Sequence, residues 1–197
     1  MNTSIPTSQS AVQLTRSNEL RLNTSKPVPT PGPFQLLCRV EAVGLCFSDM
    51  KLLHQFDTHV RKAEVVSGID TQLLTSLPGY VPGSAPTVPG HEAVIRVVQV
   101  GEQVRRFRPG PRYLVQADWR WLRTPKSNAA FGYNFEGALQ EYVLLDERVI
   151  TSPEGEPMLL PVSERKSASA LALVEPWACV EQAYAASQRQ TLQPGGR

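Results

Sequence analysis

The stretch Val88-Pro89-Gly90-His91-Glu92 and the upstream stretch Gly44-Leu45-Cys46-Phe47-Ser48-Asp49 contain the chemistry-bearing residues of this chain. Each stretch places a strong zinc ligand, the Cys46 thiol or the His91 imidazole, close to a glycine that permits a tight turn. His91 follows Cys46 by 45 positions, whereas zinc fingers use closely spaced ligand pairs, so the pattern excludes a finger. On composition alone, a free buried Cys46 and a hydrogen-bonded His91 are the favoured interpretation.

Four segments in a fixed order change that interpretation. They are Cys38–Asp49, Pro89–Glu92, Gly137–Val143 and Leu173–Pro176. Together they resemble the signatures of the zinc-dependent medium-chain alcohol and polyol dehydrogenases, in the order in which that family has them. The sequence at residues 132–135 and 175–181 most resembles that of sorbitol-dehydrogenase-like and sorbose-phosphate-reductase-like members.

The resemblance implies a fold and a role for each site residue. The fold is mainly β with short helices, a GroES-like partly open β-barrel. Cys46 and His91 would be direct zinc ligands, and Glu92 would be a ligand or stand just behind the metal. Asp49 matches the residue that orients the ligating histidine, and Ser48 matches the hydroxyl that passes the substrate proton toward solvent.

The third protein ligand has more than one candidate. Glu175 matches the carboxylate position of the polyol-type relatives, and Cys179 aligns with a cysteine ligand of other alcohol dehydrogenases. With Glu175 at the N-cap and Pro176 at the first helical position, both side chains lie about one turn apart. A thiolate binds zinc strongly, which favours Cys179. The similarity of the surrounding sequence to polyol-type relatives instead favours Glu175 or Glu92 as the carboxylate ligand beside Cys46 and His91. Cys179 is then predicted to be a small buried residue.

Composition excludes several classes of protein. A net charge of +2 over 197 residues, with scattered Lys and Arg, gives no nucleic-acid-binding pattern. Three cysteines without CxxC spacing fit a reducing compartment, and we expect a cytoplasmic protein. No signal-peptide pattern and no membrane-spanning stretch are found in the sequence.

The chain divides into three predicted parts. Residues 1–10 are a flexible terminus, residues 11–165 a GroES-like catalytic domain, and residues 166–197 a helical connection toward a missing nucleotide-binding domain. No GxGxxG fingerprint occurs, so NAD or NADP would bind only through that missing domain. Residues 116–135 lack the four cysteines that hold a structural zinc in many relatives, which leaves one catalytic zinc. Residues 57–88 form a long connection that either shapes the substrate entrance or is a surface loop.

Two classes of function follow. The first is the catalytic domain of an NAD(P)-dependent oxidoreductase that interconverts a small polyol or sugar alcohol and its carbonyl form. The full-length protein would then be a homo-oligomer. The second is a non-catalytic GroES-like module used for assembly or ligand binding.

Overall fold

The computed structural model describes residues 4–186, and these are mostly β-strand with four short helices. The strands are β1 (Ser8–Arg16), β2 (Glu19–Pro27), β3 (Gln35–Gly44), β4 (Glu92–Val100), β5 (Arg112–Val115), β6 (Asp118–Arg123), β7 (Asn128–Ala130), β8 (Tyr142–Asp146) and β9 (Leu159–Pro161). The helices are α1 (Phe47–Gln55), α2 (Thr71–Thr75), α3 (Ala168–Ala172) and α4 (Val174–Ala186). None of the helices within residues 4–186 is long and apolar enough to cross a membrane.

The central layer is a five-stranded antiparallel sheet in the order β8-β3-β4-β5-β9. Two-stranded sheets, β1-β2 and β6-β7, lie beside it, and the three sheets do not close into one continuous barrel within the described residues. The predicted class, mainly β with short helices and an incompletely closed GroES-like arrangement, is confirmed.

The core forms where β3 and β4 turn alternate side chains inward. Leu36 and Cys38 of β3 face Ile95 and Val97 of β4 in one buried cluster, as the period of two along a strand requires. Cys38 is completely buried, and burial raises the pKa of its thiol, so it behaves as a small apolar residue. The sequence of residues 34–43 predicts this position, because a strand there places Leu36, Cys38 and Val40 on one face, with Cys38 in the core and not at a metal site.

The long connection between α1 and β4 is folded against the barrel. It contains a 3-10 helix at Phe56–Thr58 and the helix α2, and its Lys62 is completely buried. The Lys62 ammonium donates hydrogen bonds to the backbone carbonyls of Val81 and Ala85. Because this amine connects the start of the segment to its end by hydrogen bonds, the connection is a packed part of the domain and not a loosely attached surface loop.

Three details at the chain ends correct the sequence-based expectations. Strand β1 begins at Ser8, inside the terminus expected to be flexible, because it pairs with β2. Helix α4 begins at Val174, so Glu175 is its second residue and not the N-cap; Pro176 fits because the first helical turn needs no N–H donor there. Cys179 is exposed and not buried as expected. The sequence predicts that the helix starting at Pro176 ends near Gln190, but residues 1–3 and 187–197 lie outside the described residues.

Candidate metal centre

Cys46 is held at the N-cap of α1 by a reciprocal capping box. Its Sγ accepts the backbone N–H of Ser48 at 3.3 Å, and Asp49 Oδ2 accepts the N–H of Cys46 at 3.0 Å. The cap fixes the thiol at the N-terminus of α1. The thiol is partly exposed, so a metal ion has access to it.

His91 precedes β4 and is almost fully buried. Its Nδ1 lies 3.3 Å from Asp49 Oδ1 but forms no hydrogen bond of good geometry. Burial by itself lowers the pKa of His91; contacts with Asp49 and Cys46 outweigh it and raise that pKa to about 9. Without metal the imidazole is therefore protonated near neutral pH, and a metal must displace this proton.

Asp49 connects the two ligand-bearing segments. Besides Cys46, it accepts the backbone N–H of Gly90 at 3.3 Å and faces His91. Burial would raise the pKa of Asp49, but the contacts with His91 and with the two backbone N–H groups hold it below its usual value. An ionised carboxylate at this point orients the imidazole and raises its basicity.

Glu92 enters the site from the first position of β4. It lies opposite Gly44 in the β3–β4 register, and a Cβ added at Gly44 would overlap Glu92 Oε2. The glycine is therefore needed to leave room for the carboxylate. Burial raises the pKa of Glu92, and the negative charge of Glu175 adds to the rise.

The ligand atoms of Cys46, His91 and Glu92 all lie within 4.8 Å of one another. Atoms bound at about 2.0–2.3 Å to one tetrahedral zinc lie about 3.5 Å apart, so small side-chain adjustments bring these three to one ion. Thiolate, imidazole and carboxylate are also the donor types that zinc accepts. The residues present fit a zinc ion with an open fourth position.

Glu175 and Cys179 are placed near this group but are not part of it. Glu175 is close enough to act on the charge of Glu92, and the thiol of Cys179 donates to Glu175 Oε1 at 3.4 Å. The expected spacing of one helical turn between them is confirmed. The expected burial of Cys179 is wrong, because its side chain on α4 is exposed.

Ser48 bridges two members of the group. Its Oγ lies 2.8 Å from Cys46 Sγ and 3.2 Å from His91 Nε2. Tyr133, which the sequence did not mark as a site residue, packs its ring against that of His91 with 5.5 Å between centroids. The signal that could have found Tyr133 is its place beside Gly132, a left-handed residue whose backbone touches that of Gly90.

Comparison with known proteins places this fold and this group of residues in a family. The model of the alcohol dehydrogenase GroES-like domain matches residues 32–154, which include α1, β3, β4 and the whole thiol–imidazole–carboxylate group. The chain belongs to the alcohol dehydrogenase GroES-like domain family.

This chain matches only part of the length of each relative. The chain is 30% identical over 132 residues to alcohol dehydrogenase notN of an Aspergillus species, which spans 60% of this chain and 31% of that protein. It is 32% identical over 106 residues to chicken (Gallus gallus) sorbitol dehydrogenase, 54% of this chain and 24% of that protein. The structure of acetophenone reductase from Geotrichum candidum in complex with NAD is similar in fold, with a TM-score of 0.59 and 21% identity over 92% of this chain and 49% of that one. The chain thus spans about a third or less of these curated relatives and half of this structure.

Proposed function

We propose that this chain is the zinc-holding catalytic portion of an NAD(P)-dependent dehydrogenase that interconverts an alcohol and its carbonyl form. The observation that carries the proposal is the convergence of a thiol, an imidazole and a carboxylate within 4.8 Å at a partly exposed position. The similarity to alcohol and sorbitol dehydrogenases supports a small alcohol of the polyol or sugar-alcohol type as substrate.

In this proposal each residue has one task. Cys46, His91 and Glu92 hold the zinc, which when bound supplies Lewis-acid polarisation of the substrate oxygen. Asp49 keeps the imidazole oriented from behind. The Ser48 hydroxyl lies beside both the thiol and the imidazole, which is where it can exchange the proton of the substrate alcohol.

The hydride partner is assigned to a part of the enzyme that these 197 residues do not include. The sequence contains no GxGxxG, and phosphate binding in dinucleotide sites depends on such a loop at a helix N-terminus. The proposal therefore places NAD or NADP on a second unit, facing the open side of the metal group.

Glu92 is the carboxylate ligand in this proposal, and Glu175 acts as a second negative charge nearby. Both were candidates on sequence grounds. Support for Glu92 comes from its place in the compact group and from the space that Gly44 leaves for it. The negative charge of Glu175 raises the pKa of Glu92, although Glu175 lies outside the compact group.

Zinc titration against a chromophoric chelator tests the proposal. The chain should bind one zinc, and Cys46→Ser should weaken binding more than about a hundredfold. Cys179→Ser is the matched control, since it removes an exposed thiol on α4, and it should bind zinc within about threefold of wild type. Equal losses in both serine variants would show a two-cysteine site. A wild-type chain that binds no zinc would favour a non-catalytic module.

A further inference from the structure

The ring of Tyr133 occupies a central position behind the metal group. It is almost fully buried, and it packs between the rings of His91, at 5.5 Å, and His59, at 5.1 Å. The guanidinium of Arg61 lies 5.7 Å from the Tyr133 centroid and is itself fixed by an ion pair with Asp118 at 2.6 Å. The Tyr133 ring therefore contacts three side chains, and one of them, Arg61, is held in place by its ion pair.

The backbone around Tyr133 fixes it as firmly as the ring contacts do. Its carbonyl accepts the hydroxyl of Thr87 at 2.9 Å, and Asn134 donates to the carbonyl of Ala63 at 3.0 Å. Gly132 adopts φ +82°, a conformation that favours glycine, and a Cβ added there would lie a tight 3.2 Å from the backbone of Gly90. The turn thus joins the 57–88 connection to the segment that carries His91.

The His91 imidazole is contacted from two directions. Asp49 Oδ1 lies 3.3 Å from its Nδ1, and the Tyr133 ring packs against the imidazole ring with 5.5 Å between centroids. Ser48, which contacts both Cys46 and His91, lies near Tyr133 as well.

We propose that Tyr133 is a positioning residue of this site, whose ring fixes the His91 imidazole. Through Tyr133 the 57–88 connection also reaches the metal group, since Arg61 and His59 hold the ring from that side. This inference rests on the proposed zinc site for its consequence, but the positioning itself is a property of the metal-free chain.

The test compares the buried Tyr133 with Tyr80, a partly buried tyrosine of the same domain. Tyr80 is the matched control, because its ring packs on Phe135 at 5.1 Å and its hydroxyl accepts the N–H of Val65 at 2.7 Å, away from the metal group. Tyr133→Leu should weaken Co²⁺ binding, followed by the thiolate-to-metal absorption band, by at least about tenfold. Tyr133→Phe keeps the ring and should bind Co²⁺ within about threefold of wild type. Tyr80→Leu should also bind Co²⁺ within about threefold of wild type.

Side-chain NMR of the metal-free chain separates this inference from the proposed function. Tyr133→Leu should shift the His91 ring resonances, whereas Tyr133→Phe, which keeps the ring, and Tyr80→Leu should leave them near their wild-type positions. If wild type binds no Co²⁺ while the Tyr133→Leu shift occurs, the zinc proposal fails and the positioning stands. Unchanged His91 ring resonances in Tyr133→Leu, or equal loss of Co²⁺ affinity in Tyr80→Leu, overturn the inference. Should Tyr133→Leu not fold, Tyr133→Met takes its place in both measurements, with the same expected results.

Discussion

Replacing Asp49 by asparagine tests how the two ligand-bearing segments are held together. The Asp49 carboxylate accepts the N–H of Cys46 at 3.0 Å and the N–H of Gly90 at 3.3 Å, and it faces the Nδ1 of His91 at 3.3 Å. Asparagine has the same shape but only one acceptor oxygen. Whichever way the amide points, its NH2 group must face one of these donors, so at least one contact becomes repulsive.

The expected cost follows from the contacts that are lost. Losing the helix cap costs about 1 kcal/mol, and losing one hydrogen bond to a charged, largely buried acceptor costs about 1.5–3 kcal/mol. We therefore expect Asp49→Asn to lower the free energy of unfolding by about 2–4 kcal/mol. Zinc affinity should fall about 10–100-fold, the usual effect of removing the group that orients a ligating histidine.

Urea unfolding of the metal-free chain and zinc competition titration measure the two effects. Asp70→Asn is the control, because Asp70 caps α2 through a 2.9 Å bond to the N–H of Leu73 but is exposed and does not belong to the metal group. It should cost about 1 kcal/mol or less and leave zinc affinity unchanged. An Asp49→Asn chain that unfolds within about 1 kcal/mol of wild type and binds zinc equally well would refute this account of the site.

Other predictions concern the space at the site, the buried amine and the nucleotide. Gly44→Ala should weaken zinc binding at least about tenfold by displacing Glu92, whereas Gly79→Ala, whose added Cβ meets only ordinary contacts, should bind zinc like wild type; equal affinity in both would show that the space is not needed. Burial lowers the pKa of Lys62 to about 7, although Asp57 opposes this, so the unfolded chain binds more protons between pH 7 and about 10. The free energy of unfolding should therefore rise with pH over this range relative to Lys62→Met, and parallel pH profiles would contradict the shift. Calorimetry of the 197-residue chain should detect no micromolar binding of NAD or NADP, and such binding would reveal a nucleotide site that the sequence does not show.

Local sequence was sufficient for most elements of the fold. Alternating apolar residues predicted β3, and the position of Cys38 on its inner face agrees with the structure. The sequence also predicts a short helix from Ser48 to Phe56, and the structure places α1 at Phe47–Gln55, one residue earlier at each end. These features depend on neighbours within a few positions, which is the range over which strand alternation and capping act.

The carboxylate that joins Cys46 and His91 in the metal group could not be identified from local sequence. Glu92 and Glu175 had similar standing in the sequence, and the choice between them depends on the β3–β4 register and on where α4 docks. The burial of Cys179 was predicted wrongly for a related reason. A helix shows which residues share a face, but not whether anything covers that face.

By itself, the sequence determined a mainly β domain, a thiol and an imidazole presented beside glycines, and the absence of a dinucleotide fingerprint. Only the tertiary structure decided that Glu92 completes the compact group and that Tyr133 stands behind His91. The physical reason is distance along the chain. His91 is 45 positions from Cys46 and 42 from Tyr133, so their approach to within a few ångströms is set by sheet register and by contacts between loops, which no local preference specifies.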